Sequence, residues 1–325
     1  MEKYYITTPI YYVNDKPHIG HAYTTILADT ISRFRALIGE KPTFLTGLDE
    51  HGLKVQQAAE KNGKAPQDHC DSMAPAFIDL WKKLNINYSD FIRTTEHRHT
   101  KIVQQILTKV HESGDIYMDE YEGWYSISEE RFITEKELDS GQFGQVKQIK
   151  EKNYFFRMSK YQATLIDKIE KDEFLIQPKS RKNEVLGFLK NELSDLCISR
   201  PKSRLEWGIE LPFDDNYVTY VWFDALINYI SAIGAYSNDE QFSSLWPADV
   251  HLIGKDILTT HSVYWPTMLL SLGLPLPQRI FAHGWWLTDD KKLSKSLGNV
   301  VSPLMFIDDF GVDSVRYYLM SEMVL

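Results

Sequence analysis

The sequence predicts an α/β fold, a doubly wound parallel sheet that is split by an inserted domain. Short runs of β-branched and aromatic residues alternate with amphipathic helical stretches towards both ends of the chain, a pattern typical of parallel strands joined by right-handed crossovers. Between these ends, over residues 116–212, the sequence is instead aromatic, charged and rich in turns. With 43% hydrophobic residues, the 325-residue chain can form a packed core.

The first half of the sheet is predicted from residues 1–115. Residues 4–10 are β-branched and aromatic and predict a buried strand. Pro17 suits the first turn of a helix, because no hydrogen bond is lost there through its missing N–H, and this helix runs to about Leu37. Residues 42–46 predict a second strand, residues 47–52 the loop after it, and residues 67–84 and 95–113 two more amphipathic helices.

The second half of the sheet follows the inserted domain. Strands are predicted at residues 218–224, 250–254 and 279–284, with a helix beginning at Ala225. Near the chain end, Pro303 begins a helix that Gly311 ends, and Asp313 caps a last one. We therefore divide the chain into a first half of the sheet domain (1–115), an inserted connective domain (116–212), a second half (213–290) and a lysine-loop segment leading into helices (291–325).

Composition and charge exclude several classes of protein. The net charge is −9, whereas a protein held to nucleic acid by broad electrostatic attraction is usually basic. We expect no DNA partner, and the basic patches at 179–182 and 200–204 are either local RNA contacts or solvated surface charge. We find no apolar run long enough to span a membrane and no signal-peptide pattern. The two cysteines, Cys70 and Cys197, give no disulfide framework, so we expect a cytoplasmic protein.

Residues 17–21, with the sequence PHIGH, are the first candidate site. His18 and His21 are three apart and share one face of the predicted helix start, where exposed N–H groups bind anions. Gly20 lets a bulky ligand approach the backbone, and imidazoles can donate hydrogen bonds to phosphate oxygens. Capping or packing histidines are the alternative. A metal site is disfavoured, because a zincin helix needs histidines four apart beside a glutamate.

Residues 291–299, with the sequence KKLSKSLGN, are the second candidate site. Lys292 and Lys295 bracket a polar loop, and lysine is a mobile point charge suited to polyphosphate. Ser294 adds a hydroxyl, and the loop is flexible enough to close over a triphosphate and reopen. A solvated basic turn is the alternative. The two segments together indicate a protein that handles a nucleoside triphosphate.

Further candidates lie where predicted strands end. Asp49 lies where doubly wound sheets bind ligands, and its carboxylate either holds an ammonium group or caps the next helix. Gly254 would admit a ribose, and the Asp256 carboxylate would accept hydrogen bonds from the ribose hydroxyls. An isolated Gly-Lys-Asp sequence is weak evidence for this role. Two sets of mainly apolar and aromatic residues at helical spacing indicate either the hydrophobic core or a ligand pocket. Such a pocket would suit a thioether, because sulfur–aromatic contacts are favourable. Their members are Trp222, Ala225, Tyr229, Ile257, His261 and Trp265.

These segments resemble the signatures of class I aminoacyl-tRNA synthetases. Residues 18–21 are identical to the HIGH motif of that family, and residues 292–296, KLSKS, resemble its KMSKS motif with leucine in place of methionine. The resemblance is to methionyl-tRNA synthetases in particular, covers essentially the whole chain and implies a Rossmann-type catalytic domain. The supporting stretches are residues 8–14, 44–52, 153–157, 221–226 and 253–256.

The resemblance implies a reaction in two steps. Methionine attacks the α-phosphate of ATP, giving methionyl-adenylate and pyrophosphate, and the methionyl group then passes to the 3′ adenosine at the acceptor end of tRNA(Met). ATP enters as a substrate with Mg²⁺. Catalytic roles are implied for His18, His21, Lys292 and Lys295. The same four residues are implied to bind ATP together with Gly20, Gly254, Asp256 and Ser294. Methionine binding is implied for Ile10, Tyr12, Asp49 (on the ammonium group), Trp222, Ala225, Tyr229, Ile257 and His261.

The sequence departs from the family pattern in two ways. Many members have a zinc knuckle of Cys-x-x-Cys pairs in the inserted domain, whereas Ser126 and Glu129 stand at the positions of the first pair here. Structural zinc needs four ligands, mostly thiolates and imidazoles, so we expect no zinc and no other metal site. The family also continues into a helical anticodon-binding domain. We expect this domain to be absent, adenylate formation to survive and recognition of the cognate tRNA to be poor.

Two other functions stay open. One is a synthetase for another apolar amino acid, although editing of near-isosteres usually uses a large dedicated insert and this insert spans only residues 116–212. The other is a non-catalytic paralogue that binds methionine or nucleotide, which would have no need of the histidine and lysine pairs.

Overall fold

The computed structural model describes residues 2–126, 131–133, 138, 145–284, 287–288, 291–292 and 302–322. Its strands are β1 (Lys3–Thr7), β2 (Tyr11–Tyr12), β3 (Lys41–Asp49), β4 (Asp90–Arg93), β5 (Ile116–Ser126), β6 (Arg131–Ile133), β7 (Val146–Phe156), β8 (Leu175–Gln177), β9 (Leu196–Cys197), β10 (Ser199–Pro201), β11 (Glu210–Leu211), β12 (Asp214–Thr219), β13 (Val250–Gly254), β14 (Arg279–His283), β15 (Leu287–Thr288) and β16 (Lys291–Lys292).

The helices of the described part alternate with these strands. They are α1 (Ile19–Leu37), α2 (Leu53–Lys61), α3 (Pro66–Lys83), α4 (His97–Glu112), α5 (Gln162–Glu170), α6 (Lys179–Phe188), α7 (Val221–Ser231), α8 (Asp239–Leu245), α9 (Trp265–Ser271), α10 (Pro303–Phe310) and α11 (Val312–Ser321). Two 3-10 turns, Met158–Tyr161 and Lys255–Ile257, and a π-helical segment, Thr260–Tyr264, complete them.

A parallel sheet of seven described strands carries the fold. Its order is β2-β3-β1-β13-β14-β8, with β4 also paired to β3. Every pairing within it is parallel. Parallel neighbours need a crossover, usually a helix, and α1 provides the first one between β1 and β3. The predicted α/β class with a parallel sheet is confirmed.

The sheet divides the core into two clusters because side chains on a strand alternate between its faces. Tyr5 on β1 packs in one cluster, whereas Tyr4 and Ile6 pack in the other. On β13, Ile253 joins the first cluster and Leu252 the second. Central strands that are buried on both faces read as nearly continuous apolar runs, which is why the sequence identified them.

The second strand is longer than predicted. Residues 47–49, expected in a loop, continue β3 to Asp49. Gly47 pairs with Ile92 of β4, and a Cβ on Gly47 would lie 2.0 Å from the Ile92 carbonyl oxygen. The glycine that suggested a loop is therefore the residue that lets β4 approach.

Two predicted helix boundaries are wrong. Pro17 lies before α1 rather than in its first turn, because His18 is the N-cap and helical hydrogen bonding begins after it. At the other end of the chain, Gly311 precedes α11 with a φ of 78°, and Asp313 lies inside the first turn rather than at the cap. Asp313 remains well placed, since acidic residues are favourable in the first turn.

The strand predicted at 218–224 is also wrong as part of the parallel sheet. Val218 and Thr219 end β12, which pairs antiparallel with β10 and β11 in a separate three-stranded sheet. The apolar residues after them begin α7 at Val221 instead of Ala225. A short apolar run does not by itself distinguish a buried strand from a buried helix.

The region predicted as an insert forms mainly antiparallel structure. Strands β6, β5, β7 and β9 make a four-stranded sheet in that order. One segment differs, because β8 pairs in parallel with β14 and extends the central sheet. The boundaries of the four proposed domains otherwise stay a prediction.

Candidate active site

The predicted site residues converge on the carboxyl ends of the central strands. Asp49 is the last residue of β3, Gly254 ends β13 and His283 ends β14. Neighbouring parallel strands bring these ends to one edge of the sheet, which is where α/β proteins bind ligands. The N-terminus of α1 also lies here, since Thr24 on its second turn bonds His283 across 2.7 Å.

His18 and His21 form a closed pair at the start of α1. The Gly20 backbone N–H donates to His18 Nδ1 at 3.1 Å, and the His18 backbone N–H donates to His21 Nδ1 at 3.3 Å. This reciprocal arrangement is a capping box made by histidines instead of Ser and Glu. The two rings stack with centroids 3.8 Å apart. Because Nδ1 accepts in both rings, each neutral imidazole carries its proton on Nε2.

Gly20 is closely packed in the same arrangement. A Cβ at position 20 would lie 3.0 Å from His18 Cε1 and 3.2 Å from His18 Nδ1. The side chain of His18 folds over the position where that Cβ would stand. The glycine therefore admits the capping imidazole, in addition to the ligand approach expected from the sequence.

The end of β13 forms a second small cluster. Asp256, in the 3-10 turn after Gly254, places its carboxylate so that a Cβ on Gly254 would lie 2.7 Å from Oδ1. His283 is paired with Gly254 on the neighbouring strand. Its Nδ1 donates to the Gly284 carbonyl at 2.7 Å, so its Nε2 accepts from the Thr24 hydroxyl. Burial lowers the pKa of His283.

Three predicted methionine-binding residues form one hydrogen-bonded chain. The Tyr229 hydroxyl donates to His261 Nε2 at 2.7 Å, and His261 Nδ1 donates to the Ile257 carbonyl at 2.9 Å. Tyr229 and His261 are buried. Burial lowers the pKa of His261 to about 4, against the opposing effect of the Ile257 carbonyl. His261 is therefore neutral near pH 7, as suits a wall that receives an apolar side chain.

The other predicted methionine-binding residues lie on three elements around this chain. Tyr12 on β2 is the register partner of Asp49 on β3. Ala225 is buried on α7, one turn before Tyr229, and Trp222 is half-buried on the same helix. Ile10, half-buried between β1 and β2, packs against the core cluster that contains Tyr229. Helix α7 therefore carries Trp222 and Ala225 together with Tyr229 of the hydrogen-bonded chain.

The lysine loop falls largely outside the described residues. Lys292 pairs with Leu287 in the two-stranded β15–β16 ladder. Ser294 and Lys295 lie outside the described part of the chain. Their predicted roles, like the binding roles of the other candidates, stay predictions.

A buried polar network at this edge was missed by the sequence analysis. Asp224, fully buried on α7, bonds His51 Nδ1 and His99 Nε2 at 2.6 Å each. Burial alone would raise the pKa of Asp224, but the two histidines lower it to about 2. Asp224 and His51 lie in the 221–226 and 44–52 stretches that carried the resemblance, but nothing in the sequence related one to the other. His99, on a different helix, carried no sequence signal.

A second network holds the peptide between Asp49 and His51. The buried Glu50 accepts from Arg93 Nε at 2.7 Å and from the Thr95 hydroxyl. The Trp207 indole donates to the Glu50 carbonyl oxygen. Burial raises the pKa of Glu50, while Arg93 and Thr95 oppose this.

A small, partly open pocket lies next to this loop. None of its lining residues is a predicted site residue. They are Gly52, Leu53, Tyr125, Arg200, Arg204, Leu205 and Tyr220.

The described residues contain no group of three or more His, Cys, Asp or Glu side chains able to hold a metal ion. Of the two positions that bear on zinc, Ser126 is buried and Glu129 lies outside the described part. The prediction of no structural zinc therefore stays a prediction. Within the same described part, no helix is long and apolar enough to cross a membrane.

A parallel sheet with the His18–His21 pair at its first crossover helix is the arrangement expected of a class I tRNA synthetase. The family model described as tRNA synthetases class I (M) matches residues 4–142 and 139–325. The chain belongs to this family, and the predicted resemblance is confirmed.

Two curated relatives with similar sequences are both named methionine–tRNA ligase. The methionine–tRNA ligase of Clostridium tetani is 52% identical over 325 residues, which cover 98% of this chain and 50% of that protein. The methionine–tRNA ligase of Bacillus subtilis strain 168 is 48% identical over 338 residues, covering 98% and 50%. This chain thus spans about half the length of the curated relatives that it matches.

Solved structures agree in fold. The structure of Mycobacterium tuberculosis methionyl-tRNA synthetase in complex with methionyl-adenylate has a TM-score of 0.93 at 42% identity, covering 98% of this chain and 64% of that one. The apo form of the Mycobacterium tuberculosis enzyme has a TM-score of 0.80 at 39% identity, covering 98% and 62%. The Rossmann-type fold expected from the resemblance is confirmed.

Proposed function

We propose that this chain activates L-methionine with ATP to form methionyl-adenylate and passes the methionyl group to the 3′ adenosine of tRNA(Met). The observation that carries the proposal is the position of the His18–His21 pair at the same sheet edge as Asp49 and the Tyr229–His261–Ile257 chain. The membership of the chain in the class I (M) family supports it, as do relatives named methionine–tRNA ligases.

Adenylate formation needs alignment and charge stabilisation rather than a covalent nucleophile. A methionine carboxylate oxygen forms a bond to the α-phosphorus of ATP. The bond from that phosphorus to the oxygen bridging to the β-phosphate breaks, and pyrophosphate leaves with the electron pair. Donors aimed at the phosphate oxygens stabilise the charge that develops there. His18 and His21 are suited to this task, because their Nε2 atoms carry the ring protons.

The other candidate residues are assigned to the parts of methionine and ATP that their chemistry suits. Asp49 binds the methionine ammonium group, and the thioether lies against Ile10, Tyr12, Trp222, Ala225, Tyr229, Ile257 and His261. Gly254 and Asp256 hold the ribose, since the carboxylate can accept from its hydroxyls. Gly20 admits the nucleotide at the start of α1. Lys292, Ser294 and Lys295 bind the polyphosphate.

Mg²⁺ accompanies the ATP in this proposal. Magnesium is commonly bound through substrate phosphates with one or two carboxylates or none, and it keeps several waters. The ion would neutralise phosphate charge during the displacement. We place the reaction in the cytoplasm, on the cysteine usage of the sequence.

Exchange of labelled pyrophosphate into ATP, measured with each amino acid in turn, tests the proposal. Methionine should support exchange, and leucine and valine should support far less. Exchange that is faster with leucine or valine would instead favour a synthetase for that amino acid. Methionine binding without exchange would favour a non-catalytic paralogue. Aminoacylation of purified tRNA(Met) tests the second step separately.

A further inference from the structure

The buried Asp224 carboxylate connects three elements of the fold. It lies in the first turn of α7 with none of its surface exposed. One oxygen is 2.6 Å from Nδ1 of His51, which follows the end of β3. The other is 2.6 Å from Nε2 of His99 on α4. His99 also makes a second contact with α7, because its Nδ1 lies 2.8 Å from the hydroxyl of Ser231 on that helix.

The chemistry of the carboxylate fixes where the histidine protons are. An ionised carboxylate only accepts hydrogen bonds, so His51 Nδ1 and His99 Nε2 must both carry protons. Both bonds have a charged partner and lie in a buried place, where such bonds are strong. The orientations of the two rings are therefore set by Asp224. The ring of His51 also packs against Trp207, with centroids 5.4 Å apart.

The His51–Asp224 bond joins two elements that carry proposed methionine-binding residues. One is the loop that follows Asp49, the last residue of β3 and the proposed ligand of the ammonium group. The other is α7, which carries Ala225 and Tyr229, and the buried side chain of Asp224 lies on that helix.

The loop is held from its other side as well. Arg93 and Thr95 bind the Glu50 carboxylate, and the Trp207 indole binds the Glu50 carbonyl. Glu50 is thus fixed towards β4, and His51 is fixed towards α7. Two anchors on consecutive residues leave the preceding Asp49 little freedom, which is how a binding group is preorganised.

We propose that Asp224 is a positioning residue for methionine: by holding His51, it fixes the loop of Asp49 against α7 and sets the distance between the ammonium ligand and the apolar wall. This inference rests on the proposed function. Asp224 itself touches no substrate. Its effect should therefore appear in methionine affinity and leave ATP binding unchanged, because the proposed ATP ligands lie on α1, the β13 turn and the lysine loop.

Asp224→Asn is the direct test, with Ser231→Ala as the matched control. An amide has one accepting oxygen for two N–H donors, so one histidine loses its bond or changes tautomer. Ser231→Ala removes a buried partner of His99 on the same helix and leaves the His51 bond intact. The dissociation constants for L-methionine and for ATP are measured separately by calorimetry. Asp224→Asn should raise the methionine constant at least about tenfold, the effect of losing one charge-assisted hydrogen bond.

In the same measurements, Asp224→Asn should leave the ATP constant within about twofold of the wild type. Ser231→Ala should leave both constants within that range. A second pair tests the inference if Asp224→Asn does not fold. His51→Asn retains an N–H donor near the position of Nδ1 and should keep most of the methionine affinity, whereas His51→Ala should lose it.

Several results would overturn the inference. If Asp224→Asn changes the dissociation constants for methionine and ATP by the same factor, its role is merely structural. The same conclusion follows if Ser231→Ala weakens methionine binding as much as Asp224→Asn does. Equal methionine affinity in His51→Asn and His51→Ala would do the same. A wild-type chain that binds methionine but supports no exchange would contradict the proposed function alone, because binding still tests Asp224. A wild-type chain that binds no methionine would contradict both.

Discussion

At the scale of single residues, the proposed site depends on which nitrogen of each imidazole carries the proton. His18 and His21 keep Nδ1 as an acceptor and carry their protons on Nε2. His261 has the opposite tautomer, with its proton on Nδ1. The partners of each ring decide this difference, so the same side chain suits the proposed phosphate contact in one place and the proposed apolar wall in the other.

The buried histidines should make the protein less stable in mild acid. Burial lowers the pKa of His261 to about 4 and also lowers those of His251 and His283. Between pH 6.5 and 4 the unfolded state binds more protons, so the free energy of unfolding should fall as the pH falls, by up to about 1.4 kcal/mol per unit for each histidine. Glu50, whose pKa is raised, opposes this trend.

Urea unfolding at pH 7 and pH 5 measures that effect. The wild type should be less stable at pH 5, and His261→Gln should show a smaller loss between the two pH values. Equal stability of the wild type at both pH values would contradict the assigned charge states.

Lys295 is predicted to act through charge on the polyphosphate. Lys295→Ala should slow methionine-dependent exchange by roughly 100-fold, the effect of losing one donor that acts in the transition state. Lys16→Ala is the control, since Lys16 is an exposed lysine outside the proposed set. Exchange in Lys295→Ala at the rate of the control would remove Lys295 from its role.

At the scale of elements, the end of β13 carries the proposed ribose-binding residues. Gly254→Ala should weaken ATP binding, because the new Cβ would lie 2.7 Å from Asp256 Oδ1 and would displace that carboxylate. The expected rise in the dissociation constant for ATP is about tenfold, with methionine affinity unchanged. Gly273→Ala is not a suitable control, since Gly273 has a φ of 66°. Gly187→Ala is suitable, because a Cβ there meets no atom within 4 Å.

Titration of ATP into both variants supplies the measurement. If Gly254→Ala binds ATP as tightly as Gly187→Ala, Asp256 does not hold the ribose in the proposed way.

The elements also show how far the sequence could be interpreted. Buried strands such as β13 and β14 were predicted because central parallel strands are apolar throughout. The prediction of a strand at 218–224 was wrong because an apolar run of that length is equally suited to a buried helix. The packing of the folded chain, which the sequence does not show, determines that this run begins α7. The two-residue strand β2 and the three-residue strand β8 are too short to leave a pattern, and their pairing depends on distant parts of the chain.

The residues of the candidate site were also only partly predictable from the sequence. His18, Gly20 and His21 could be predicted because three adjacent positions carry the chemistry of one helix start. The bridge from His51 through Asp224 to His99 could not, since its members are far apart in sequence and no spacing rule relates them. Long-range buried hydrogen bonds are a property of the packed fold.

At the scale of the whole molecule, one buried carboxylate connects α11 to α1, the helix that follows His18. Asp29 on α1 is fully buried and accepts from Arg316 on α11 at 2.5 Å, from Arg33 at 2.8 Å and from the Asn87 backbone N–H at 2.8 Å. Arg316 also donates to the Leu84 carbonyl at 2.9 Å. The segment after the lysine loop is therefore fastened to α1.

Arg316→Met should destabilise the protein by about 2 kcal/mol, because it removes one charge-assisted hydrogen bond from a buried carboxylate that keeps Arg33 and the Asn87 N–H as partners. Arg98→Met is the matched control. Arg98 pairs with Asp90 at 2.6 Å and 3.0 Å, but both side chains are about one-third or more exposed, so the loss should stay below about 1 kcal/mol. Chemical denaturation compares the two variants, and equal losses would show that burial of Asp29 does not matter.

Formation of methionyl-adenylate in a single turnover is the most direct test of the proposed function. Purified chain in excess is mixed with ATP, Mg²⁺ and L-methionine, quenched in acid, and assayed for methionyl-adenylate by mass spectrometry. The proposed function predicts adenylate approaching the amount of the limiting substrate, with far less when leucine replaces methionine. Folded protein that binds methionine and ATP but yields no methionyl-adenylate would contradict it.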